Sequence, residues 1–211
     1  MSKYRLKFEK LGRAVWISHL DTMETWRRAF RRADVTLRHS EGFNPHPLMS
    51  IALPLSVGQE SVCELLDFDT THPIERAETV RRLNDALPEG FRALDITIAA
   101  KKCALIKWVA VEGVLDYAEL PDVPTLTEPF RGAALPIVKK TKRGETTLDL
   151  IACTRRVKCS TDGVTVTLRA LVSAQEPTVN PALLLDALTV KPLSAKFRRV
   201  ELYDANENVF E

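Results

Sequence analysis

Two short stretches hold the side chains best able to do chemistry, residues 18–21 and residues 39–47. The first reads Ser-His-Leu-Asp and places the imidazole of His19 two positions before the carboxylate of Asp21. An imidazole transfers protons near neutral pH, and a carboxylate can act as an acid, a base or a nucleophile. The second stretch adds His46. Acid–base or nucleophilic work by Asp21 and the His19/His46 pair is therefore one interpretation of this sequence.

A structural role competes with catalysis at the first stretch. Ser18 falls just before a predicted helix, and Asp21 follows three residues later. In this capping pattern each side chain satisfies the unpaired backbone N–H of the other residue. Asp21 also brings negative charge to the positive end of the helix dipole. The pattern favours Asp21 as a helix cap over Asp21 as a catalytic carboxylate.

The second stretch is a loop stiffened by two prolines that lie two residues apart. Each proline restrains the residue before it to extended conformations and removes one backbone donor. Asn44 and His46 therefore belong to a preset extended segment, and Gly42 can supply a positive-φ turn before Phe43. Such stiffening lowers the entropy that is lost on binding. We interpret the loop as a rigid recognition point, with a rigid corner between a helix and an edge strand as the alternative.

The histidines in these stretches raise the question of a metal. His19, His39 and His46 carry donor chemistry that suits Zn²⁺ or Fe²⁺. No pair of them has the i,i+4 spacing that would bring two ligands onto one helix face. We therefore predict no metal site.

The cysteines and the hydropathy of the chain bear on its compartment. Cys63, Cys103, Cys153 and Cys159 show no CxxC spacing, which is typical of reduced thiols in a cytoplasmic protein. No segment approaches ~18 consecutive apolar residues, and the first residues form no signal-peptide core. We expect a cytoplasmic protein without a membrane partner.

Charge is distributed unevenly along a chain of 211 residues whose net charge is only +2. Residues 1–50 hold ten Lys and Arg against five Asp and Glu, and residues 131–160 hold eight against two. Residues 51–90 reverse the balance, with three basic and eight acidic residues. The first predicted helix carries on one face Arg27, Arg28, Arg31 and Arg32. A basic face on a mixed scaffold of helices and strands is the usual footprint for RNA phosphates, and we expect no DNA.

The pattern of apolar residues predicts an α+β fold. Alternation of apolar residues over residues 3–10 indicates a strand, and residues 14–18 either extend this strand or pair with it. Apolar residues at three- and four-residue spacing indicate an amphipathic helix over residues 18–35. There follow two strands, a helix and a strand, at residues 50–58, 62–70, 73–87 and 91–100. The order β-α-β-β-α-β predicts a ferredoxin-like unit over residues 1–100.

The second half predicts a further, decorated α+β unit over residues 101–211, packed with the first as one compact body. Its predicted segments begin with a strand or hairpin over residues 105–118 and a proline-interrupted, partly helical stretch over residues 120–132. Strands follow over residues 135–141, 145–159, 164–174 and 197–205, with a helix over residues 180–188.

Three strings in the chain resemble the radical SAM-linked protein family of bacteria, a domain of unknown function. They are Ser-His-Leu-Asp at 18–21, Ser-Glu-Gly-Phe-Asn-Pro-His-Pro at 40–47 and Ala-Leu-Pro-Leu at 52–55. The closing residues 197–211 also resemble the end of that family. Members carry a basic residue after the second proline, where this sequence has Leu48.

The resemblance implies a partner rather than a reaction. Members are fused to, or encoded beside, a cobalamin-binding radical SAM protein, which would use an iron–sulfur cluster, S-adenosylmethionine and cobalamin. This chain has no CxxxCxxC motif, and we expect no cofactor of its own. The leading hypothesis is a non-catalytic accessory module that holds RNA or another anionic substrate for that enzyme. Its candidate binding residues are Ser18, His19, Asp21, Arg27, Arg28, Arg31, Arg32, Gly42, Phe43, Asn44 and His46.

Two other hypotheses stay open. The chain is an RNA-processing or RNA-modifying enzyme in its own right, using Asp21 and His19/His46. Alternatively it is a docking subunit, in which the acidic segment 60–89 and the arginine-rich helix face protein partners.

Overall fold

A computed structural model describes residues 3–141 and 144–211, with the backbone alone at 139–141. The chain divides into two compact units. Unit 1 runs to Leu105 and includes Glu211, and unit 2 spans Ile106–Phe210. No helix in the described residues is both long enough and apolar enough to cross a membrane.

Unit 1 contains a four-stranded antiparallel sheet with two helices. In chain order its elements are β1 (Lys3–Lys10), α1 (His19–Arg32), β2 (Met49–Ile51), β3 (Glu60–Asp69), α2 (Arg76–Ala86) and β4 (Phe91–Ile98). The strands pair in the order β4-β1-β3-β2, with every pair antiparallel. The predicted α+β class is confirmed, and the order of elements is the one that the ferredoxin-like expectation requires.

The core of unit 1 lies between α1 and the sheet. Trp26 and Phe30 recur at helical spacing, and both are buried. The Trp26 ring meets Phe8 of β1 with centroids 4.8 Å apart, and the Phe30 ring meets Phe68 of β3 at 4.7 Å. Since this stripe faces the sheet, the arginines between its members point to solvent.

An ion pair is buried in the same sheet. Arg5 of β1 lies directly opposite Asp67 of β3, and only 2% of Arg5 is exposed. Its Nε and Nη2 donate to the two Asp67 oxygens at 2.8 and 3.1 Å, and Nη2 also donates to the carbonyl of Lys101 at 2.7 Å. This bidentate geometry compensates for the removal of both charges from water.

Two predictions for unit 1 were wrong in detail. Residues 14–18 neither extend β1 nor pair with it, because a 3₁₀ helix spans Gly12–Trp16. Gly12, at φ 57°, turns the chain away from the strand direction. The strand predicted over residues 50–58 is reduced to the three residues of β2, which ends before Pro54 can remove a donor from the sheet.

Unit 2 repeats the strand order of unit 1. Its elements are β5 (Trp108–Asp116), α3 (Val123–Leu126), β6 (Pro136–Thr141), β7 (Gly144–Asp149), α4 (Leu150–Cys153), β8 (Thr154–Thr161), β9 (Val166–Ser173), α5 (Leu183–Ala187) and β10 (Ser194–Tyr203). The main strands pair antiparallel in the order β10-β5-β9-β8, so the fourth, first, third and second strands are neighbours, as in unit 1. The added elements α3, the β6-β7 hairpin and α4 all fall between the first and second main strands.

The single strand predicted over residues 145–159 is divided by α4. Asp149 caps this helical turn, because its Oδ1 accepts the N–H of Ile151 at 3.0 Å and that of Leu135 at 2.8 Å. Leu150 and Cys153 are then buried together on one side of the turn. A short apolar run is compatible with either a strand or a helix, so the pattern did not distinguish the α4 turn from a continuous strand.

Candidate functional site

The proline-containing stretch forms a hairpin, defined here as residues 38–48. The Leu48 N–H donates to the Arg38 carbonyl at 2.8 Å, and His39 pairs with Pro47 in an antiparallel bridge. The hairpin is tied to β3 at its base, since an Arg38 guanidinium nitrogen lies 3.1 Å from a carboxylate oxygen of Asp69. The stretch is thus more than a corner between α1 and β2.

Ser40 and His46 close the neck of the hairpin. The Ser40 N–H donates to the His46 carbonyl at 2.8 Å, and the His46 N–H donates to Ser40 Oγ at 3.1 Å. Ser40 Oγ also lies 2.9 Å from His46 Nδ1. The predicted recognition residue His46 is therefore engaged in holding the loop shape.

The tip of the hairpin, residues 41–46, is exposed throughout. Gly42 has φ 119°, which confirms the predicted positive-φ turn before Phe43. Phe43 is fully exposed, with a relative accessibility of 112%. The stiffened loop holds this aromatic ring in solvent, where it is available to stack on a ligand.

The hairpin base and the arginine face of α1 meet in one surface groove of about 480 Å³. Phe30, Val35 and Leu37 contribute its apolar side. Its polar side is lined by Glu24, Arg27, Arg28, Arg31, Asp34 and His39, with Pro47 beside them. Of the predicted binding residues, Arg27, Arg28 and Arg31 line this groove. The predicted loop residues, which are Gly42, Phe43, Asn44 and His46, belong to the hairpin beyond its base and do not line it. Arg32, which was also predicted to bind, is exposed but does not line this groove.

Glu24 organises the arginines of this groove. Its carboxylate accepts from Arg27 Nε and Nη2 at 2.6 and 2.8 Å, and from Arg28 Nε at 2.7 Å. These hydrogen bonds, that of Arg27 first, lower the pKa of Glu24 from its usual 4.5 to about 2. Arg31 forms no ion pair with any described residue, so it is the groove arginine most open to an incoming anion.

The charge of the second carboxylate of the groove, Asp34, is balanced by an arginine that lies outside the groove. Asp34 lies 3.5 Å from an Arg82 nitrogen of α2. His39 faces the groove with a fixed ring, because Nδ1 donates to the Leu37 carbonyl at 3.2 Å. The groove thus presents three arginines and two carboxylates. Arg27 and Arg28 hold Glu24, and Arg82 of α2 holds Asp34.

Ser18 and Asp21 act as the helix cap that the sequence predicted, with one difference. Ser18 Oγ accepts the Asp21 N–H at 3.2 Å and donates to Asp21 Oδ2 at 2.7 Å. The Asp21 carboxylate therefore binds the serine hydroxyl, whereas the full capping box would place it on the serine backbone N–H. Both Asp21 oxygens remain at an exposed helix end.

His19 lines a different and much smaller cavity, of about 10 Å³, beneath the start of α1. Thr22, Lys10 and Glu64 line it as well. Lys10 Nζ donates to the Ile17 carbonyl at 2.6 Å, and burial lowers the pKa of Lys10, with the charge on Glu64 opposing. This volume has room for at most about one water molecule. This cavity is therefore too small for a substrate.

The sequence analysis missed Lys10, although a signal for it was present. Lys10 falls in phase with Tyr4, Leu6 and Phe8 on the alternating strand β1, and only 2% of it is exposed. A charged residue at the core position of a half-buried strand indicates a buried partner.

The histidines and cysteines form no cluster with metal-ligand geometry. Among residues 3–141 and 144–211, no group of three or more His, Cys, Asp or Glu side chains is arranged to hold a metal ion. The four cysteines are free thiols.

Comparison with known proteins identifies one family. The model of a family described as an uncharacterized protein conserved in bacteria, DUF2344, matches residues 3–181. The match covers all of unit 1 that the structure describes up to Leu105 and continues through α3, the β6-β7 hairpin and β9 of unit 2. No curated protein matches the chain.

Proposed function

The chain belongs to this bacterial family, DUF2344, and on that premise we propose that it is a non-catalytic module that binds single-stranded RNA. One observation carries the proposal. The groove lined by Arg27, Arg28 and Arg31 opens beside a stiffened hairpin that exposes Phe43. Cationic side chains for a phosphate backbone and an exposed aromatic ring for a base are the two elements of single-strand recognition.

The arginines supply the phosphate contacts. A guanidinium donates two parallel hydrogen bonds to a phosphate, which a lysine ammonium does not. Arg31 is open for such a contact, and Arg27 and Arg28 are held in place by Glu24. A phosphate that approaches this pair competes with the Glu24 carboxylate for the two guanidinium groups.

Phe43 supplies the base contact. Its ring stands free at the hairpin tip, and the Ser40–His46 neck limits how far the tip can move. Base–aromatic stacking contributes about 1–3 kcal/mol per base and is tolerant of sequence. Bases are accessible for such stacking in single strands and loops, whereas in an RNA helix they are paired and stacked on one another.

Two observations favour binding over catalysis by Asp21 and His19. The Asp21 carboxylate is engaged by the Ser18 hydroxyl at the helix cap. His19 lines a cavity that has no room for a substrate. His46, the third candidate, bonds Ser40 within the hairpin neck and does not line the groove.

The partner in this proposal is a cobalamin-binding radical SAM protein. Its support is the resemblance of residues 18–21, 40–47 and 52–55 to a family that accompanies such enzymes. In this arrangement the partner brings the iron–sulfur cluster, S-adenosylmethionine and cobalamin, and the present chain holds the RNA on which the partner acts.

Fluorescence anisotropy tests the RNA-binding proposal directly. The probe is a fluorescein-labelled oligouridine of about 12 nucleotides, titrated with the full chain at low salt. We expect saturable binding that Arg31→Ala weakens about tenfold and that Arg32→Ala, on the same helix but outside the groove, weakens much less. Equal losses in the two variants would contradict the placement of the site, and absence of binding by the wild-type chain would contradict the function.

Affinity purification of the tagged chain from its native cells tests the partner. We expect a radical SAM protein to be retained after nuclease treatment of the sample. Retention of RNA without such a protein would support an RNA-binding module and contradict the accessory role.

A further inference from the structure

Unit 2 contains a cavity of about 630 Å³ that the proposed RNA groove does not involve. One part of its lining is apolar, with Pro124, Phe130 and Ile151. Another part is cationic, and it consists of Arg131, Arg155, Arg156 and Lys158. No Asp or Glu side chain is among the described residues that line it. Its volume falls within the ~300–1,000 Å³ that is typical of small-molecule sites.

The cationic part is built on a β-bulge. The pairing of β8 with β9 shifts register between Arg155 and Lys158, and Arg156 within the bulge has φ 54°. A positive φ is unfavourable for a residue with a side chain, and it persists where the surrounding contacts impose it. Bulges re-aim side chains at the margins of sheets and next to functional sites. Three cationic positions of one strand, 155, 156 and 158, therefore line the same cavity.

Glu207 holds two of these arginines in place. Arg155 Nη1 donates to Glu207 Oε1 at 2.6 Å, and Arg156 Nη2 donates to Glu207 Oε2. The Arg155 guanidinium also lies 4.3 Å from the ring centroid of Trp108. Since Arg155 is held on two sides, its charge is fixed at the cavity before any ligand arrives. Arg131 and Lys158 form no ion pair with a described residue, and they are open to an anion.

Cys159 adds a neutral group to the apolar part of the lining. Burial raises the pKa of its thiol to about 11, so the group carries no charge at neutral pH. The cavity thus combines an uncharged side with a side whose formal charge is positive.

We propose that this cavity binds a nucleoside monophosphate, with the phosphate at Arg131, Arg156 and Lys158 and the ring against Pro124 and Phe130. A ligand of this class fits within the cavity and has the same division between an anionic end and a flat, weakly polar end. The residues of this site all belong to unit 2, whereas those of the groove belong to unit 1, so the inference does not depend on RNA binding in the groove.

Isothermal titration of the full chain with AMP, GMP, CMP and UMP tests this inference. We expect saturable binding of at least one nucleotide, with the matching nucleoside and inorganic phosphate each weaker by about tenfold or more. Absence of binding by all four nucleotides would overturn the inference. Equal affinity for nucleotide and inorganic phosphate would overturn the assignment of the ring to the apolar side.

Two charge reversals locate the site. Lys158→Glu should weaken nucleotide binding by about tenfold, and Lys196→Glu, an exposed position of β10 outside the cavity, by less than about twofold. Lys158→Met serves as a second variant, and thermal unfolding confirms that each variant is folded. Equal losses of nucleotide affinity in Lys158→Glu and Lys196→Glu would overturn the assignment of the site to this cavity. Displacement of labelled RNA from the wild-type chain by the nucleotide would also overturn it, because the two ligands would then share one site.

Discussion

Ser40 and His46 hold each other across the neck of the hairpin through both their backbones and their side chains. The two backbone N–H groups donate in opposite directions, at 2.8 Å to a carbonyl and at 3.1 Å to the Ser40 hydroxyl, and that hydroxyl lies 2.9 Å from His46 Nδ1. Pro45 restrains the chain between these contacts, and Pro47 restrains the conformation of His46 itself. The hairpin is therefore shaped before a ligand arrives, which is the property that the proposed function requires of Phe43 at its tip.

Replacing Ser40 with Ala should loosen the hairpin without unfolding unit 1. Two contacts of the hydroxyl are lost at an exposed site, so we expect the free energy of unfolding to fall by about 1 kcal/mol or less. RNA affinity should fall by several fold because the tip becomes less ordered. Ser50→Ala, at an exposed position of β2, is the matched control. Unchanged RNA affinity in Ser40→Ala would mean that the neck does not preorganise the site.

Phe43→Ala should separate binding from stability. Because the ring is fully exposed, the melting temperature should stay essentially unchanged, whereas RNA affinity should fall about tenfold through the loss of one stacked base. Anisotropy and thermal unfolding measure the two effects. Val164→Ala, which removes another strongly exposed apolar side chain in unit 2, should change neither. A large fall in melting temperature for Phe43→Ala would show that the ring packs within the protein.

Glu24→Gln should strengthen RNA binding. The substitution removes a carboxylate from the groove and releases Arg27 and Arg28 toward phosphates, so we expect an affinity gain of about threefold at low salt. Glu78→Gln is the matched control, because Glu78 holds Arg81 at the same i,i+3 spacing on α2, outside the groove. A weaker complex in Glu24→Gln would mean that Glu24 is needed to place the arginines.

The lowered pKa of Glu24 sets the pH dependence of this pair. A carboxylate whose pKa falls on folding stabilises the folded state above its unfolded pKa, and that contribution is lost as the pH falls through the folded pKa. For Glu24 the loss lies between pH 4.5 and about pH 2. We therefore expect no step in wild-type RNA affinity from Glu24 between neutral pH and about pH 5. NMR titration of the Glu24 side-chain carboxyl measures this pKa, and a midpoint near the usual 4.5 would contradict the ion-pair geometry.

Asp67→Asn should strongly destabilise unit 1. The substitution leaves the Arg5 guanidinium buried without its opposite charge, so we expect the free energy of unfolding to fall by about 3 kcal/mol or more. Glu112→Gln is the comparison, because Glu112 and Arg169 form an exposed cross-strand ion pair. This substitution should lower the free energy of unfolding by less than about 1 kcal/mol. Urea unfolding followed by circular dichroism measures both. Equal small losses would mean that Arg5 reaches water in solution.

Periodicity was sufficient to predict the elements whose burial follows one face. The strand β1 and the helix α1 each bury one face against the core, so their apolar residues repeat with the period of a strand and of a helix. These two periods were enough to predict the α+β class. Arg5 and Asp67 could not be predicted as a pair, because their contact depends on the register of two strands that lie 62 residues apart. Register is set by the packed sheet and leaves no local signal.

The candidate site was predictable as two pieces and unpredictable as a whole. The arginines of α1 and the proline loop stood out by composition, but one interpretation of the sequence combined His46 of the loop with His19 and Asp21 at the helix start. The hairpin folds back so that its base lies by Arg27 and Arg31, and the helix start closes over a separate cavity. The cavity of unit 2 left no signal because it depends on the α4 turn and on the bulge at Arg156.

The salt dependence of RNA binding tests the central claim most directly. With the labelled oligouridine, the logarithm of the association constant should fall linearly with the logarithm of salt concentration, by about 0.7 for each phosphate contact. Arg31→Ala should reduce that slope by roughly one contact, and Arg32→Ala should leave it close to the wild-type value. A slope near zero in the wild-type chain, or the same slope in wild type and Arg31→Ala, would contradict phosphate binding in the groove beside the hairpin.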